Sequence, residues 1–402
     1  MTFTTSNIPS ASEQAGNEIL NLLGSVIGTT KGSVALHEPE FSGKENEYLK
    51  SCIDTGWVSY AGGFVSKFEQ SLAEYTGAKH AICVVNGTVA LQTALILAGV
   101  QPNHEVIVPN LSFVATANAV VHCGAVPHFL DVDETTLGMD PVLLEYHLKN
   151  NTKVVAGKTV NLTTGRPITA VIPMHTFGHA CEIDRLIEVA ASFGVKVVED
   201  AAEALGTEYK GKHLGTFGDL GTLSFNGNKI ISSGGGGAIL LNDEKVATRA
   251  RHITTTAKVS HPWEFIHDEI GYNFRMPNLN AAVGYAQMEQ LLEKLRRKRK
   301  LAKLYSEAFQ SSSFFEFFHA PQDSDSNFWL NTIRLKPKIA EAKAEILCHV
   351  NKHGFQCRAV WTPLRNLEMF SQCPSSSLET SEHLYNTLIN IPSSPQLVKL
   401  DC

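Results

Sequence analysis

The stretch HAICVVNGTVALQTALIL, residues 80–97, sets the pattern of the fold. It begins as an unbroken apolar run of strand length and continues, after a short polar turn, as an apolar segment typical of a buried helix. The same alternation recurs downstream, with strands predicted at 105–109, 125–132, 168–173 and 195–200, and helices at 113–123 and 183–193. Because strands buried on both faces have continuous apolar sequences, we predict an α/β fold whose sheet is mostly parallel and flanked by helices.

A chain of 402 residues is expected to form more than one packed unit. The predicted units are residues 1–33, a flexible segment with a short helix at 17–27, residues 34–280, a large α/β domain, and residues 281–402, a small α+β domain. A long helical stretch, about 278–309, is predicted to link the two domains. Its basic run, KLRRKRK at 294–300, is interpreted as a solvated helix face.

Composition and motif spacing argue against several classes of function. The formal net charge of −6 disfavours nucleic acid as the main partner, because phosphate backbones attract basic surfaces. No stretch approaches the ~20 apolar residues of a membrane span, and the N-terminus lacks a secretory signal pattern. The eight cysteines form no C-x-x-C pair, which favours a cytoplasmic location. His175 and His179 bracket a turn without a third ligand nearby in sequence, so no metal site is predicted.

Polar residues at two predicted strand ends are candidates for a binding site. Asp200 closes the strand at 195–200, and ligands of such sheets gather at the carboxyl ends of the strands. Its carboxylate could pair with the protonated ring nitrogen of a cofactor, or it could be an ordinary loop residue. Asn86, Gly87 and Thr88 lie where the first strand passes into a helix, whose N-terminus suits a phosphate. The same turn could equally be a plain helix cap.

Lys229 is the clearest candidate for a reactive group. It follows the strand predicted at 220–225 on the short loop SFNGNK, from which it can reach the same crevice. An amine at this place could attack a carbonyl compound, and Ser224 could donate a hydrogen bond to a phosphate. The glycines at 234–237 lack the spacing of a nucleotide-binding loop and lead into a second strand at 237–243. We interpret them as giving the backbone room beside a cofactor.

Taken together, these segments resemble the fold type I sugar aminotransferases of the DegT/StrS family. The likeness runs from about Leu36 to Arg365, and SFNGNK with its glycine run is the most specific part. The matching blocks are VVNGTVALQTAL, VPNLSFVATANAV, VEDAAEALGT, GDLGTLSFNGNKIISSGGGG and GYNFRMPNLNAA. Within the family, LHEPEFSG, GWVSYAGGFV and CRAVWTPL are most similar to enzymes of legionaminic-acid-type nonulosonate pathways. The resemblance implies a seven-stranded-type sheet in the large domain, with pyridoxal 5'-phosphate bound there.

The resemblance also implies roles for residues around that cofactor. Lys229 would carry it as a Schiff base and move the proton, Asp200 would pair with the pyridine nitrogen, and Glu203 would lie near the ring hydroxyl. Phe113 would stack on the ring, unless it is an ordinary core aromatic. The groups expected around the phosphate are those of Gly87, Thr88, Ser224 and, from a neighbouring subunit, Asn273.

Subunit and substrate contacts are implied less directly. If Asn273 reaches a neighbouring subunit, the protein is a homodimer with active sites at the subunit interface. The alternative is that Asn273 is an ordinary turn residue. Arg275 and Arg358 are candidate contacts for substrate anions, with surface salt bridges as the alternative. Relatives commonly have His in a P-L-H segment, whereas Pro363-Leu364 is followed here by Arg365. Substrate contacts at this end are therefore left open.

The implied reaction moves an amino group from glutamate to the 4-keto group of a nucleotide-linked 4-keto-6-deoxy sugar, by preference a UDP-linked N-acetylhexosamine. A GDP-linked 4-keto-6-deoxymannose, as in perosamine synthesis, is the alternative substrate. A sugar dehydratase of the same family is disfavoured by Lys229, since that branch has His there. A nucleotide-dependent dehydrogenase is disfavoured by the missing dinucleotide fingerprint. A non-catalytic regulator would leave the retained Asp200, Ser224 and Lys229 without a purpose.

Overall fold

A seven-stranded sheet forms the centre of the large domain in the computed structural model, which describes residues 10–28 and 32–400. Its strands, in chain order, are β1 His80–Val84, β2 Glu105–Pro109, β3 Val126–Leu130, β4 Ile168–Val171, β5 Lys196–Asp200, β6 Leu220–Ser224 and β7 Gly237–Leu241. They lie side by side in the order β1-β7-β6-β5-β4-β2-β3. Strand β7 is antiparallel to both of its neighbours, and all other pairs are parallel. The predicted mostly parallel sheet is confirmed.

Twelve α-helices surround this sheet and build the small domain within the described residues. They are α1 Ala11–Ile27, α2 Glu45–Thr55, α3 Gly63–Thr76, α4 Gly87–Leu97, α5 Val114–His122, α6 Pro141–Asn151, α7 Ile183–Ser192, α8 Glu244–Thr254, α9 Asn278–Met288, α10 Leu291–Phe309, α11 Lys343–Lys352 and α12 Glu379–Thr387. Helices α4, α5 and α8 cover one face of the sheet with a continuous apolar cluster. Helices α3, α6 and α7 contribute to the cluster on the other face. Successive residues of β1 point alternately into the two clusters, as the pleat of a strand requires.

Helix α1 begins earlier than predicted. Residues 11–16, expected to be loose, are helical, because the Ser10 side chain accepts a hydrogen bond from the Glu13 N–H and caps the helix. Ala15 and Ile19 are buried in a third apolar cluster, which also contains residues of α10 and α11. Packing against α10 and α11 therefore extends the helix toward its N-terminus, beyond the predicted start at residue 17. Residues 1–9 lie outside the described residues, and the predicted break at Gly28 ends the helix.

The predicted linking helix is two helices. Helix α9 ends at Met288 and α10 begins at Leu291, so Glu289 and Gln290 interrupt the predicted helix. The interpretation of the basic run as a solvated face is wrong for three of its members. Lys294, Arg297 and Lys298 are buried. Their charges are satisfied internally, for example by a pair of hydrogen bonds from the Arg297 guanidinium to the Glu40 carboxylate at 3.0 and 2.7 Å.

The small domain is built on a four-stranded antiparallel sheet. Its strands are β8 Phe315–Phe317, β9 Asn331–Leu335, β10 Arg358–Ala359 and β11 Leu388–Ile391, arranged in the order β8-β9-β11-β10. The apolar and β-branched residues of TIRLKP and FQCRAVW predict strands there, and these correspond to β9 and β10. Short paired strands lie outside both main sheets, at Thr152–Val155 and Lys158–Asn161, at Glu208–Tyr209, Lys212–His213 and Ser324–Asp325, and at Lys258–Val259 and Ile266–His267. Among the described helices, none combines the length and apolar character needed to cross a membrane.

Candidate active site

A cavity of about 280 Å³ lies at the carboxyl ends of the parallel strands. Asn86 follows β1, Asp200 is the last residue of β5, and Ser224 is the last residue of β6. The cavity is lined by Asn86, Gly87, Thr88, Leu91, Phe113, Ala115, Met174, Asp200, Ala202, Glu203, Ser224, Asn226, Asn228, Lys229, Gly235, Gly236 and Trp361. Seven of the eight cofactor-binding residues predicted from the sequence are therefore brought together here, and only Asn273 is not.

The N-terminus of α4 forms one wall. The Asn86 carboxamide oxygen accepts a hydrogen bond from the Val89 N–H at 2.9 Å, which caps the helix and fixes the turn. A Cβ atom on Gly87 would lie 2.9 Å from the Cβ of Ser224, so only glycine allows this close approach. The arrangement brings the first N–H groups of the helix beside the Ser224 hydroxyl. Such a wall suits a phosphate group, because helix N-termini attract anions.

Asp200 forms the opposite wall and is almost fully buried. Its carboxylate accepts hydrogen bonds from the Thr116 hydroxyl at 2.8 Å and from the Ala202 N–H at 3.2 Å. Burial raises the pKa of Asp200, against the lowering effect of these two hydrogen bonds and of the Lys229 charge. A cationic group in the cavity would favour the ionised carboxylate and would be stabilised by it in turn.

Glu203 and Lys229 form a buried pair beside Asp200. The Lys229 Nζ atom lies 3.2 Å from Glu203 Oε1, and the other carboxylate oxygen accepts from the Phe177 N–H at 2.9 Å. Burial raises the pKa of Glu203 to about 7, although the Lys229 charge acts in the opposite direction. Glu203 can therefore gain or lose a proton near neutral pH, which is a property common in catalytic carboxyl groups.

Aromatic side chains form the side of the cavity nearest the small domain. Phe113, at the start of α5, is half exposed, and its ring centroid is 6.4 Å from that of Trp361. Trp361 also packs on Phe177, with 4.8 Å between the centroids. An exposed aromatic ring that faces a cavity is available to stack on a flat ligand.

A second buried carboxylate, Glu199, lies on the other face of β5 and does not line the cavity. It is 3.0 Å from His175 Nε2, and the other ring nitrogen of His175 is 3.6 Å from Cys181 Sγ. Glu199 also accepts three backbone hydrogen bonds, from the N–H groups of Gly215, Phe217 and Gly218. His179, the partner of His175 in the sequence motif, instead packs against the rings of Phe318 and Phe328. The two histidines therefore serve separate environments.

The remaining predicted residues lie outside the cavity. Asn273 is exposed and pairs with Thr255 in an isolated bridge. Arg275 is nearly buried and makes an ion pair with Glu69 at 2.7 Å. Arg358 is exposed and donates to the Asn351 side chain at 2.8 Å. Arg275 therefore makes a salt bridge, as in the alternative to substrate binding, although this one is nearly buried. The contact of Arg358 is a hydrogen bond to a neutral side chain and not a salt bridge.

Three contributors to the site were not identified from the sequence. Thr116 lies on α5 and orients Asp200, which is 84 positions later in the chain. Trp361 and Trp329 come from the small domain, and the Trp329 ring faces Lys229. Thr116 lies three residues after Phe113, in one of the quoted family blocks, and this spacing was the only available signal. Trp361 lies in the quoted segment CRAVWTPL, which was a comparable signal. Trp329 carried none, because no sequence pattern relates its segment to the sheet edge.

The chemistry of these walls fits a phosphorylated, aromatic, cationic ring that carries an aldehyde. Ser224 and the α4 N-terminus suit the phosphate, Asp200 suits a protonated ring nitrogen, and Lys229 suits the aldehyde. The enzymes that combine such a site with this sheet are the fold type I aminotransferases, which depend on pyridoxal phosphate, and the present chain is one of them.

The family is established by comparison with known proteins. Residues 39–401 match the model of the DegT/DnrJ/EryC1/StrS aminotransferase family, and the chain belongs to that family. It is 35% identical to the GDP-perosamine synthase of Escherichia coli O157:H7 over 364 residues, which is 90% of this chain and 94% of the relative. It is 32% identical to the GDP-perosamine synthase of Caulobacter vibrioides, over 92% of this chain and 95% of the relative.

A solved structure with the same fold is that of the aminotransferase TlmJ from Streptoalloteichus hindustanus. It superposes with a TM-score of 0.81 at 26% identity, and the match covers 92% of this chain and 95% of that one. The resemblance predicted from SFNGNK and its neighbouring blocks is therefore confirmed at the level of the family.

Proposed function

We propose that this enzyme transfers an amino group from glutamate to the 4-keto group of a nucleotide-linked 4-keto-6-deoxy sugar. The observation that carries the proposal is the shared cavity of Lys229 and Asp200 in a chain of this aminotransferase family. A UDP-linked N-acetylhexosamine is the favoured substrate, because LHEPEFSG, GWVSYAGGFV and CRAVWTPL resemble enzymes of nonulosonate pathways. The proposed location is the cytoplasm, which agrees with the free thiols of all cysteines among the described residues.

A GDP-linked 4-keto-6-deoxymannose is the second candidate substrate. Three relatives that each match at least nine tenths of this chain are named GDP-perosamine synthases, one at 35% identity and two at 32%. Identity at this level is compatible with a change of sugar, because specificity depends on a few contacts in the substrate pocket.

Each residue of the cavity has a distinct task in the proposed mechanism. Bound pyridoxal phosphate supplies an aldehyde and an electron-withdrawing ring. Lys229 would hold the cofactor covalently, and its free amine would move the proton at the substrate carbon. Asp200 would keep the ring nitrogen protonated through its buried carboxylate, and Glu203 could hold a proton near the ring hydroxyl. Phe113 would cover the ring and exclude water.

The phosphate end anchors the ring during both halves of the transfer. Gly87 and Thr88 offer the helix N-terminus, and Ser224 offers a hydroxyl. Fixed anchoring keeps the reacting carbon within reach of Lys229 while the amino donor and the sugar exchange places. This division into two half-reactions predicts ping-pong kinetics.

A homodimer is part of the proposal. Residues 258–270 form an arm with large apolar side chains in water: Trp263 is 78% exposed, Phe265 81% and Ile270 87%. Exposed apolar groups in one segment suggest a protein interface. The arm leads directly to Asn273, the residue that the family resemblance places at a neighbouring subunit, and we propose that the arm docks on a second copy. Substituting Trp263 and Phe265 by serine should give monomers in analytical ultracentrifugation, whereas an unchanged dimer would count against the arm.

The substrate proposal is tested by direct assay of the purified enzyme with glutamate. UDP-linked 4-keto-6-deoxy-N-acetylhexosamine and GDP-linked 4-keto-6-deoxymannose are offered separately, and the products are identified by mass spectrometry. We expect an aminated sugar from the UDP-linked substrate, with kcat/KM at least about tenfold above that for the GDP-linked one. The reverse preference would establish the second candidate. Loss of water without gain of nitrogen would establish a dehydratase.

A further inference from the structure

Trp329 reaches the site from the small domain and faces Lys229. It lies in the segment between β8 and β9, and only 4% of the residue is exposed. The Nζ atom of Lys229 lies 3.9 Å from the centroid of its ring. A cation at this distance is attracted by the electron-rich face of an indole, and the attraction is larger where water is excluded.

Trp329 is held in place by one hydrogen bond of its ring and two of its backbone. Its indole N–H donates to the carbonyl of Asn228 at 2.6 Å, in the residue directly before Lys229. The backbone N–H of Trp329 donates to the Asn327 side chain at 2.7 Å. Its backbone carbonyl accepts from the buried Lys298 amine at 3.0 Å. Buried polar groups that are fully hydrogen bonded fix the side chains they belong to.

The same segment also holds the loop that carries Glu203. The Asn327 side-chain amide donates to the backbone carbonyls of Glu203 at 2.8 Å and of Leu205 at 2.9 Å. The Asn327–Trp329 segment thus connects the small domain to both members of the Lys229–Glu203 pair. The indole ring of Trp329 therefore lies against the loop that carries Lys229, and it stays in contact with that loop when the reacting amine moves.

We infer that Trp329 is a positioning residue, whose indole face stabilises the free, charged amine of Lys229 during the stage in which the lysine has left the cofactor. The inference rests on the proposed function, in which Lys229 alternates between a linked and a free form. When Lys229 is linked, its Nζ atom is drawn toward the cofactor. When Lys229 is free, its Nζ atom can rest on the indole ring of Trp329. Trp329 therefore favours the stage at which the cofactor carries the amino group.

Three titratable groups act on the same ammonium group. Glu203 is 3.2 Å from it, and Asp200 and His37 interact with it electrostatically. Their contribution is common to the wild type and to variants of Trp329, so a comparison of these proteins isolates the ring.

The experiment compares two cofactor forms on the cofactor-free, full-length protein. Pyridoxamine phosphate binds with Lys229 free, whereas pyridoxal phosphate binds with Lys229 linked. Loss of the ring in Trp329→Leu should raise the ratio of the pyridoxamine phosphate Kd to the pyridoxal phosphate Kd roughly two- to thirtyfold. Trp329→Phe retains a ring but not the N–H, and should raise it less. Trp329→Met replaces the leucine variant if that variant does not fold.

Phe328→Leu is the matched control. This neighbour in the same segment packs on His179, with ring centroids 5.3 Å apart, and should leave the ratio unchanged. An unchanged ratio in folded Trp329→Leu or Trp329→Met would overturn the inference, as would equal effects of Trp329→Phe and Trp329→Leu, which would assign the effect to the N–H. Borohydride reduction and peptide mapping are run alongside. A cofactor attached elsewhere than Lys229 would refute the proposed function itself, while attachment at Lys229 with an unchanged ratio would refute only the role of Trp329.

Discussion

The two faces of β5 carry adjacent buried carboxylates in opposite situations. Glu199 has a histidine partner, His175, and three backbone donors. Burial alone would raise the pKa of Glu199, but these partners lower it. Asp200, one residue later, has only two hydrogen-bond donors, and burial raises its pKa. A carboxylate with all its partners in place stabilises the fold, whereas one that lacks a cation is ready to bind one.

The largest expected effect is on the Asp200 face, from Lys229→Ala. Removing the amine eliminates both the covalent link and the proton carrier, so kcat should fall by more than the roughly 10²–10⁴-fold contributed by proton transfer alone. The absorption band of the lysine-linked cofactor should disappear. Lys303→Ala, on the exposed side of α10, is the control and should retain both activity and the band. A Lys229→Ala variant with substantial turnover would remove the basis of the proposed mechanism.

The next effect in size is expected for Asp200→Asn. The amide is nearly isosteric but cannot stabilise a protonated ring nitrogen, so kcat should fall roughly 10²–10⁴-fold. The free energy of unfolding should change by less than about 1 kcal/mol, because the lost charge had no cationic partner in direct contact. Steady-state kinetics and urea unfolding measure the two quantities. A stable variant with normal kcat would contradict the assignment of Asp200 to the ring nitrogen.

Glu199→Gln is the matching change on the opposite face, and its expected effect is on stability. It leaves the buried His175 without its anionic partner, which should cost about 3–5 kcal/mol of unfolding free energy. Burial lowers the pKa of His175, but Cys181 and Glu199 raise it by more, so that the pKa is about 10. The folded fraction should still bind pyridoxal phosphate and show the lysine-linked band. If Glu199→Gln were as stable as the wild type, Glu199 would not stabilise the fold, and the contrast with Asp200 would fail on that side.

The smallest expected effect is the pH dependence that comes from Glu203. Its folded pKa of about 7 is above the ordinary value of 4.5, so the folded protein holds a proton that the unfolded chain releases. The associated stability is fully present below about pH 4.5 and is lost as the pH rises through about 7. In the cofactor-free protein, this loss is on the order of 3 kcal/mol. Relative to wild type, Glu203→Gln should gain about that much unfolding free energy between pH 4.5 and 8, and parallel pH profiles would argue against the raised pKa.

Much of the fold could be predicted because the buried strands are mostly apolar. The run at 80–85 is followed by a polar turn and the run at 195–200 ends at Asp200, so the position of Asp200 at a strand end followed from the sequence. Ser224 was predicted within a strand at 220–225 and is the last residue of β6. Lys229 was placed in the same cavity by its distance from β6. For such residues, local sequence determines position because the sheet fixes where each strand ends.

The rest could not be predicted because it depends on contacts between distant segments. Thr116 meets Asp200 only after β2 and β5 have taken their places in one sheet, and Trp329 meets Lys229 only after the small domain has docked. The basic run at 294–300 seemed polar enough for solvent, yet Lys298 is buried because two backbone carbonyls accept its hydrogen bonds. The charge pattern of a sequence does not show whether such acceptors lie nearby in the folded protein.

The burial of α1 against α10 and α11 has a consequence for synthesis on the ribosome. Ile19 and Leu23 pack with Leu301 and Val350, which are translated roughly 280–330 residues later. At about 5–20 residues per second, the helix exists for some 15–65 seconds before its partners leave the exit tunnel. During this delay, its apolar stripe is available to chaperones, and the large domain can fold first. Helix α1 is therefore among the last parts of the nascent protein to reach its final place.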